Sequence, residues 1–147
     1  MDRYFHTQVT QDMRRHITRC FVAVDSVSSR VAAYYTLAAS SIPTPDLPPE
    51  LVKKLPRYPS VPAARVGRLA VHREFQGRGL GAAMLADAAE RALGAAPAVF
   101  ALVVDAKNDE AIAFYRHHGF VPFVSQPRTL FLPLVTFARA LLAKAKR

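Results

Sequence analysis

The chain has 147 residues, 51% of them hydrophobic and 21% charged, a globular composition of one-domain size that excludes a disordered or fibrous polypeptide. Twenty Lys and Arg against eleven Asp and Glu leave a formal charge of +9, an excess that attracts polyanions: nucleic acid, an anionic membrane surface or a phosphate-rich cofactor. Cys20 is the single cysteine and cannot close an internal disulfide, the five histidines lack partners at zinc-ligand spacing, and no stretch approaches the roughly 20 apolar residues of a membrane span, so a metal-free, cytoplasmic protein is expected.

In chain order, residues 2 to about 18 read as a weak amphipathic helix. Residues 21–25 and 31–37, rich in β-branched and aromatic side chains, read as an antiparallel hairpin about a polar turn. Residues 42–62 hold seven prolines, at 43, 45, 48, 49, 56, 59 and 62, and predict a long loop that excludes helix and central strand. A loop of that length in a compact domain often frames a binding site. Residues 66–71 are the next strand, 72–81 a polar glycine-rich turn, and 80–93 a helix with Leu80, Met84, Leu85, Ala88 and Ala92 at helical spacing. The apolar run 99–104 suits a strand buried on both faces. Asn108 or Asp109 then caps a short helix ending at Gly119. Two strands, 120–124 and 129–134, and a basic helix or tail over 135–147 complete a mixed α/β sandwich around one parallel βαβ unit.

Chemistry concentrates at the turn Gln76-Gly77-Arg78-Gly79-Leu80-Gly81. Glycines entering a helix let several backbone N–H groups converge without Cβ atoms in the way, and the helix dipole adds positive charge at the same spot. That is a phosphate site, and Arg78 can supplement it. A Walker P-loop needs Lys-Ser or Lys-Thr after its last glycine, whereas Gly81 precedes Ala82-Ala83. The glycines at 77, 79 and 81 do not have the spacing of a dinucleotide fingerprint either.

Gln76, Gly79 and Gly81 do match the Gln/Arg-x-x-Gly-x-Gly/Ala pattern of GNAT acetyltransferases, which the chain resembles. A second match follows at the family's spacing: Asp105-Ala106-Lys107-Asn108, then Ala111, Phe114-Tyr115 and Gly119-Phe120. The resemblance implies a mixed, mostly antiparallel sheet with a central splayed pair of parallel strands flanked by helices. It implies acetyl-CoA held through the backbone of Leu69, Ala70 and Val71 and by Gln76, Gly77, Arg78, Gly79, Leu80, Gly81 and Ala82, with Asn108 on the cofactor arm. Tyr115 would protonate the departing thiolate, and a backbone N–H near Val71 would stabilise the oxyanion. His72 and Glu74 stand close by, but each reads as a solvated surface residue and not as a general base.

Within the family, residues 19–142 most resemble the acetyltransferase toxins of bacterial toxin–antitoxin pairs. The likeness rests on Gly67-Arg68-Leu69-Ala70-Val71, the glycine turn, Asp105-Ala106-Lys107-Asn108, the ending Thr129-Leu130-Phe131-Leu132-Pro133-Leu134 and the proline-rich loop. It implies the α-amine of aminoacyl-tRNA as acceptor, a ribbon-helix-helix antitoxin and a homodimer. Arg14, Arg15, Arg19, Arg65, Arg68 and Arg73 are candidate phosphate contacts. Members usually carry another strand ahead of the segment like Asp2-Arg3-Tyr4-Phe5, so residues 1–147 are expected to form one domain without it. A protein or small-molecule amine as acceptor, or a non-catalytic acyl-CoA-binding module, are the alternatives.

Overall fold

The structure, a computed structural model, describes residues 3–145. The expected first helix starts at residue 2, outside that range, and is two short helices, α1 (Arg3–Thr7) and α2 (Val9–Arg14). The expected hairpin is β1 (Arg19–Val24) against β2 (Val31–Pro43), paired antiparallel.

The proline-rich stretch is less of a loop than its composition predicts. β2 takes its first residues and β3 (Ser60–Val71) its last, leaving a 3-10 turn at Thr44–Asp46 and the one-turn helix α3 (Pro49–Val52) between them. Pro62 sits inside β3, a central strand. It precedes the first β3–β4 pair, Ala63↔Ala101, so its missing N–H removes no rung between those strands, and its carbonyl accepts from Phe100 N–H at 2.9 Å.

α4 (Leu80–Leu93) has the expected bounds, followed by β4 (Ala101–Asp105) and α5 (Asp109–His117). Of the strand expected over 120–124 only β5 (Val121–Pro122) forms, because Val124 N–H turns away to Asp46 carbonyl at 3.0 Å. β6 (Thr129–Pro133) runs directly into α6 (Leu134–Ala145).

The sheet order is β1-β2-β3-β4-β6-β5, antiparallel throughout except for β3–β4. Successive residues of each strand feed opposite faces. Ala33, Tyr35, Ala64, Val66, Leu102, Val104, Leu130 and Leu132 join Met84, Leu85, Ala88 and Ala92 of α4 in the larger core. On the other face Ile42, Val61, Ala63, Ala101, Val103 and Phe131 pack with Leu47, beneath Leu51, Val52 and Leu55 of the proline-rich segment. That segment is therefore the lid of a second core, which is why its backbone is ordered.

Candidate active site

β3 and β4 pair only from Ala63↔Ala101 to Val66↔Val104. Beyond that β4 continues to Asp105 beside β6, whereas β3 continues to Val71 beside β2 alone. A bulge sits at the parting point: between the pairs Leu37↔Val66 and Tyr35↔Leu69, β2 supplies Thr36 and β3 supplies both Gly67 and Arg68. An extra residue reverses which way the following residues face. Val66 and, after the bulge, Leu69 and Val71 thus lie on the α4 side. The backbone alternation shifts likewise. His72 N–H donates to Ala32 carbonyl at 2.7 Å, toward β2, so Ala70 faces β2 as well, while the N–H groups of Leu69 and Val71 face the gap left by β4.

Past Val71 the chain makes a 3-10 turn, Arg73–Phe75, capped by His72 Nδ1 accepting from Glu74 N–H at 3.2 Å. Glu74 pairs with Arg30 at 2.5 Å, and that guanidinium hydrogen bond holds its carboxyl below the usual range. Both His72 and Glu74 are thereby engaged in local contacts around the turn. Gln76 Nε2 donates to Val71 carbonyl at 3.2 Å, tying the glycine turn to the strand end. Gly77 (φ 79°) and Gly79 (φ 76°) are left-handed, a conformation that Cβ-bearing residues disfavour. Gly79 is the N-cap of α4, makes no side-chain cap and is followed by no acidic residue in the first turn. The N–H groups of Leu80, Gly81 and Ala82 thus receive no side-chain cap. They open into a cleft of about 360 Å³ lined by Val71, Phe75, Gln76, Gly77, Gly79, Leu80, Gly81, Ala82, Phe114 and His118. Arg30 and Arg78 hold their guanidiniums 5.8 Å and 5.5 Å from the Phe75 ring, placing positive charge at its rim.

α5 supplies the third wall. Asn108 is its N-cap, with Oδ1 accepting from Ala111 N–H at 2.8 Å, and Asp109 and Glu110 complement its dipole. Phe114 and His118, one helical turn apart, pack ring to ring at 4.8 Å and face the cleft. Burial holds the His118 imidazole below its ordinary pKa. Tyr115 is not among the residues lining this cleft; it is buried in the larger core, 7% exposed. Its hydroxyl has no hydrogen-bond partner among the described residues, yet no buried polar side-chain atom there is left unpaired, so the oxygen opens to solvent. Burial first, then the Asp105 carboxylate, raises its pKa above 10.0, so the phenol is protonated at neutral pH.

A model of the acetyltransferase (GNAT) domain matches residues 16–122, most of this arrangement. The chain belongs to the GNAT acetyltransferase family. It is 37% identical over 144 residues to the "tRNA-acetylating toxin" of Mycobacterium tuberculosis, covering 97% of this chain and 84% of that one. Among solved structures it is similar to AtaT complexed with acetyl-methionyl-tRNAfMet, with a TM-score of 0.83, 31% identity, and 94% and 84% of the two chains covered. It is also similar to a tyrosine-to-phenylalanine mutant of the AtaT toxin bound to the C-terminus of the antitoxin AtaR and acetyl-CoA, with a TM-score of 0.76, 27% identity, and 94% and 81% covered.

In this GNAT acetyltransferase the cleft gathers Val71, Gln76, Gly77, Gly79, Leu80, Gly81 and Ala82 of the expected cofactor residues. Arg78 stands at the rim, Leu69 lies further along the open edge of β3, and Ala70 is turned to β2. Asn108 Oδ1 caps α5, and its amide NH2 makes no hydrogen bond to the described residues. Phe75, Phe114 and His118 were not anticipated as lining residues, although Phe75 precedes the glycine turn and Phe114 and His118 have helical i, i+4 spacing. Arg65 and Arg68 share the β3 face opposite α4: Arg65 pairs with Asp105, and Arg68 stacks 4.8 Å over Tyr4 of α1. A larger cavity, about 540 Å³, opens between α2 and the end of α4 near Pro62 to Ala64. It lies about 20 Å back along β3 and contains none of these groups.

Proposed function

We propose that this acetyltransferase moves an acetyl group from acetyl-CoA to the α-amine of aminoacyl-tRNA and so acts as a translation-blocking toxin. The observation that carries the donor half is the uncapped first turn of α4 beside the open edge of β3. Left-handed Gly77 and Gly79 shape the turn into α4, the kind of turn whose amides suit a pyrophosphate. Acetyl-CoA supplies the activated thioester. Leu69 and Val71 offer N–H groups along the gap for the pantetheine arm, and in this reading Val71 N–H stabilises negative charge on the reacting carbonyl oxygen. The amide NH2 of Asn108 remains free to steady that arm. Tyr115, kept protonated by burial, is the donor for the departing sulfur. An α-amine with a pKa of about 8 is partly neutral without help, which suits a site whose His72 and Glu74 are engaged elsewhere.

The acceptor half rests on the similarity to tRNA-acetylating and tRNA-bound toxins and on the +9 charge. Among the described residues only Arg30, Arg65 and Arg91 enter ion pairs, so most of the cationic excess is available to phosphates. The reading extends to one domain over residues 1–147, a homodimer and a ribbon-helix-helix antitoxin in the cytoplasm. Supporting it, one sheet draws strands from Arg19 to Pro133, a similar toxin is bound to antitoxin, and no described helix is long and apolar enough to cross a membrane.

Incubation with labelled acetyl-CoA and either charged or uncharged tRNA tests the proposal. Label on charged tRNA alone is the expected result. Donor binding with no label on any tRNA would transfer the search to protein and small-molecule amines, and binding without turnover of any acceptor would leave an acyl-CoA-binding module.

A further inference from the structure

Tyrosines apart, the buried polar side chains among the described residues are Thr36, 2% exposed, and Thr129. Both stand where β3 and β4 part. Thr129 Oγ1 donates to Asp105 Oδ1 at 2.9 Å, on the last residue of β4. Thr36 is the lone β2 residue opposite the bulge, and its Oγ1 accepts from Arg68 N–H at 3.0 Å. The side-chain hydroxyl thus takes the N–H that the bulge withdraws from the regular ladder. Gly67 fits the same contact, since a Cβ there would stand 3.0 Å from Thr36 Oγ1.

We infer that Thr36 is a positioning residue for the acetyl donor, its hydroxyl pinning the β3 bulge that turns the Leu69 and Val71 N–H groups into the gap. The inference rests on the reading of that gap as the donor site. The alternation of a strand is all or none: without the extra residue, Ala70 would face the gap and Leu69 and Val71 would face β2. Removing the acceptor leaves Arg68 N–H partly buried and unpaired, which costs the bulged form and favours its rearrangement. Thr36 touches neither reacting atoms nor donor. It acts through the backbone of β3.

The test compares wild type, Thr36→Val, Thr36→Ser and Gly67→Ala in steady-state acetyl transfer, with calorimetric acetyl-CoA binding and thermal melts alongside. Valine keeps the shape and removes the acceptor. It is expected to raise the KM for acetyl-CoA and lower kcat, each about tenfold, with the KM for the acceptor unchanged. Serine, which restores the hydroxyl, should return both to within about twofold of wild type. Gly67→Ala pushes the hydroxyl off Arg68 without removing it, and should reproduce the valine pattern; it decides the matter if Thr36→Val does not fold. A lower melting temperature with unchanged constants in the folded protein would mean that Thr36 only stabilises the sheet, and the inference fails. Wild-type protein that does not bind acetyl-CoA would overturn the donor-site reading itself, and this inference with it.

Discussion

The two strand-to-helix junctions of the parallel unit solve one problem in opposite ways. β4 enters α5 through Asn108, whose side chain caps the helix, and Asp109 and Glu110 offset its dipole, so that helix start is satisfied from within. β3 enters α4 through left-handed Gly79, with no side-chain cap and no acidic residue in the first turn. The first junction is closed and delivers side chains; the second is open and offers backbone. A helix start of the second kind leaves its N–H groups for an anion, at some loss of intrinsic helix stability.

Separating delivery from binding breaks the comparison most sharply. Tyr115→Phe removes the phenol proposed as proton donor on α5 and is expected to lower kcat about a hundredfold or more, with acetyl-CoA binding by calorimetry within about twofold of wild type. Gly79→Val attacks the open junction instead. A β-branched residue held left-handed costs about 2–3 kcal/mol, so acetyl-CoA affinity should drop about a hundredfold, read by the same calorimetry.

A pH series sharpens the role of α5. Because burial and Asp105 raise the Tyr115 pKa, the phenol stays protonated through the neutral range and beyond. kcat/KM should rise as the acceptor amine deprotonates near pH ~8 and hold to about pH 10. A decline that begins below pH 9 would exclude Tyr115 as the group that donates.

The smaller effects exchange the two designs. Ala82→Glu gives α4 an acidic residue in its first turn, as α5 has. It should stabilise the helix by about 0.5 kcal/mol while weakening acetyl-CoA several-fold, and unaltered affinity at low salt would show that the dipole plays no part. Asn108→Ala opens the closed junction, with about 1 kcal/mol of stability lost in a denaturant melt. Its effect on acetyl-CoA binding reports separately on the free amide NH2.

Much of this contrast is legible in the residues, because caps and turns are local. The bounds of α4, a cap at Asn108 or Asp109 and the glycine turn follow from short-range backbone preferences, and the structure settles the cap on Asn108. The proline-rich segment misled for an instructive reason: composition forbids Pro62 a central rung, but its position ahead of the first β3–β4 pair requires none. The short β5 was unreadable because Asp46, far away in the chain, decides where it stops.

The sequence by itself determined the family pattern, the glycine turn and a start of α5 at Asn108 or Asp109, since each depends on residues within one turn of one another. Only the tertiary structure decided that β3 bulges opposite Thr36, that Ala70 faces away from the gap, and that Phe75, Phe114 and His118 meet over the glycine turn. Those outcomes depend on which strand and helix lie alongside, and cross-strand register is a property of two segments together, absent from either alone.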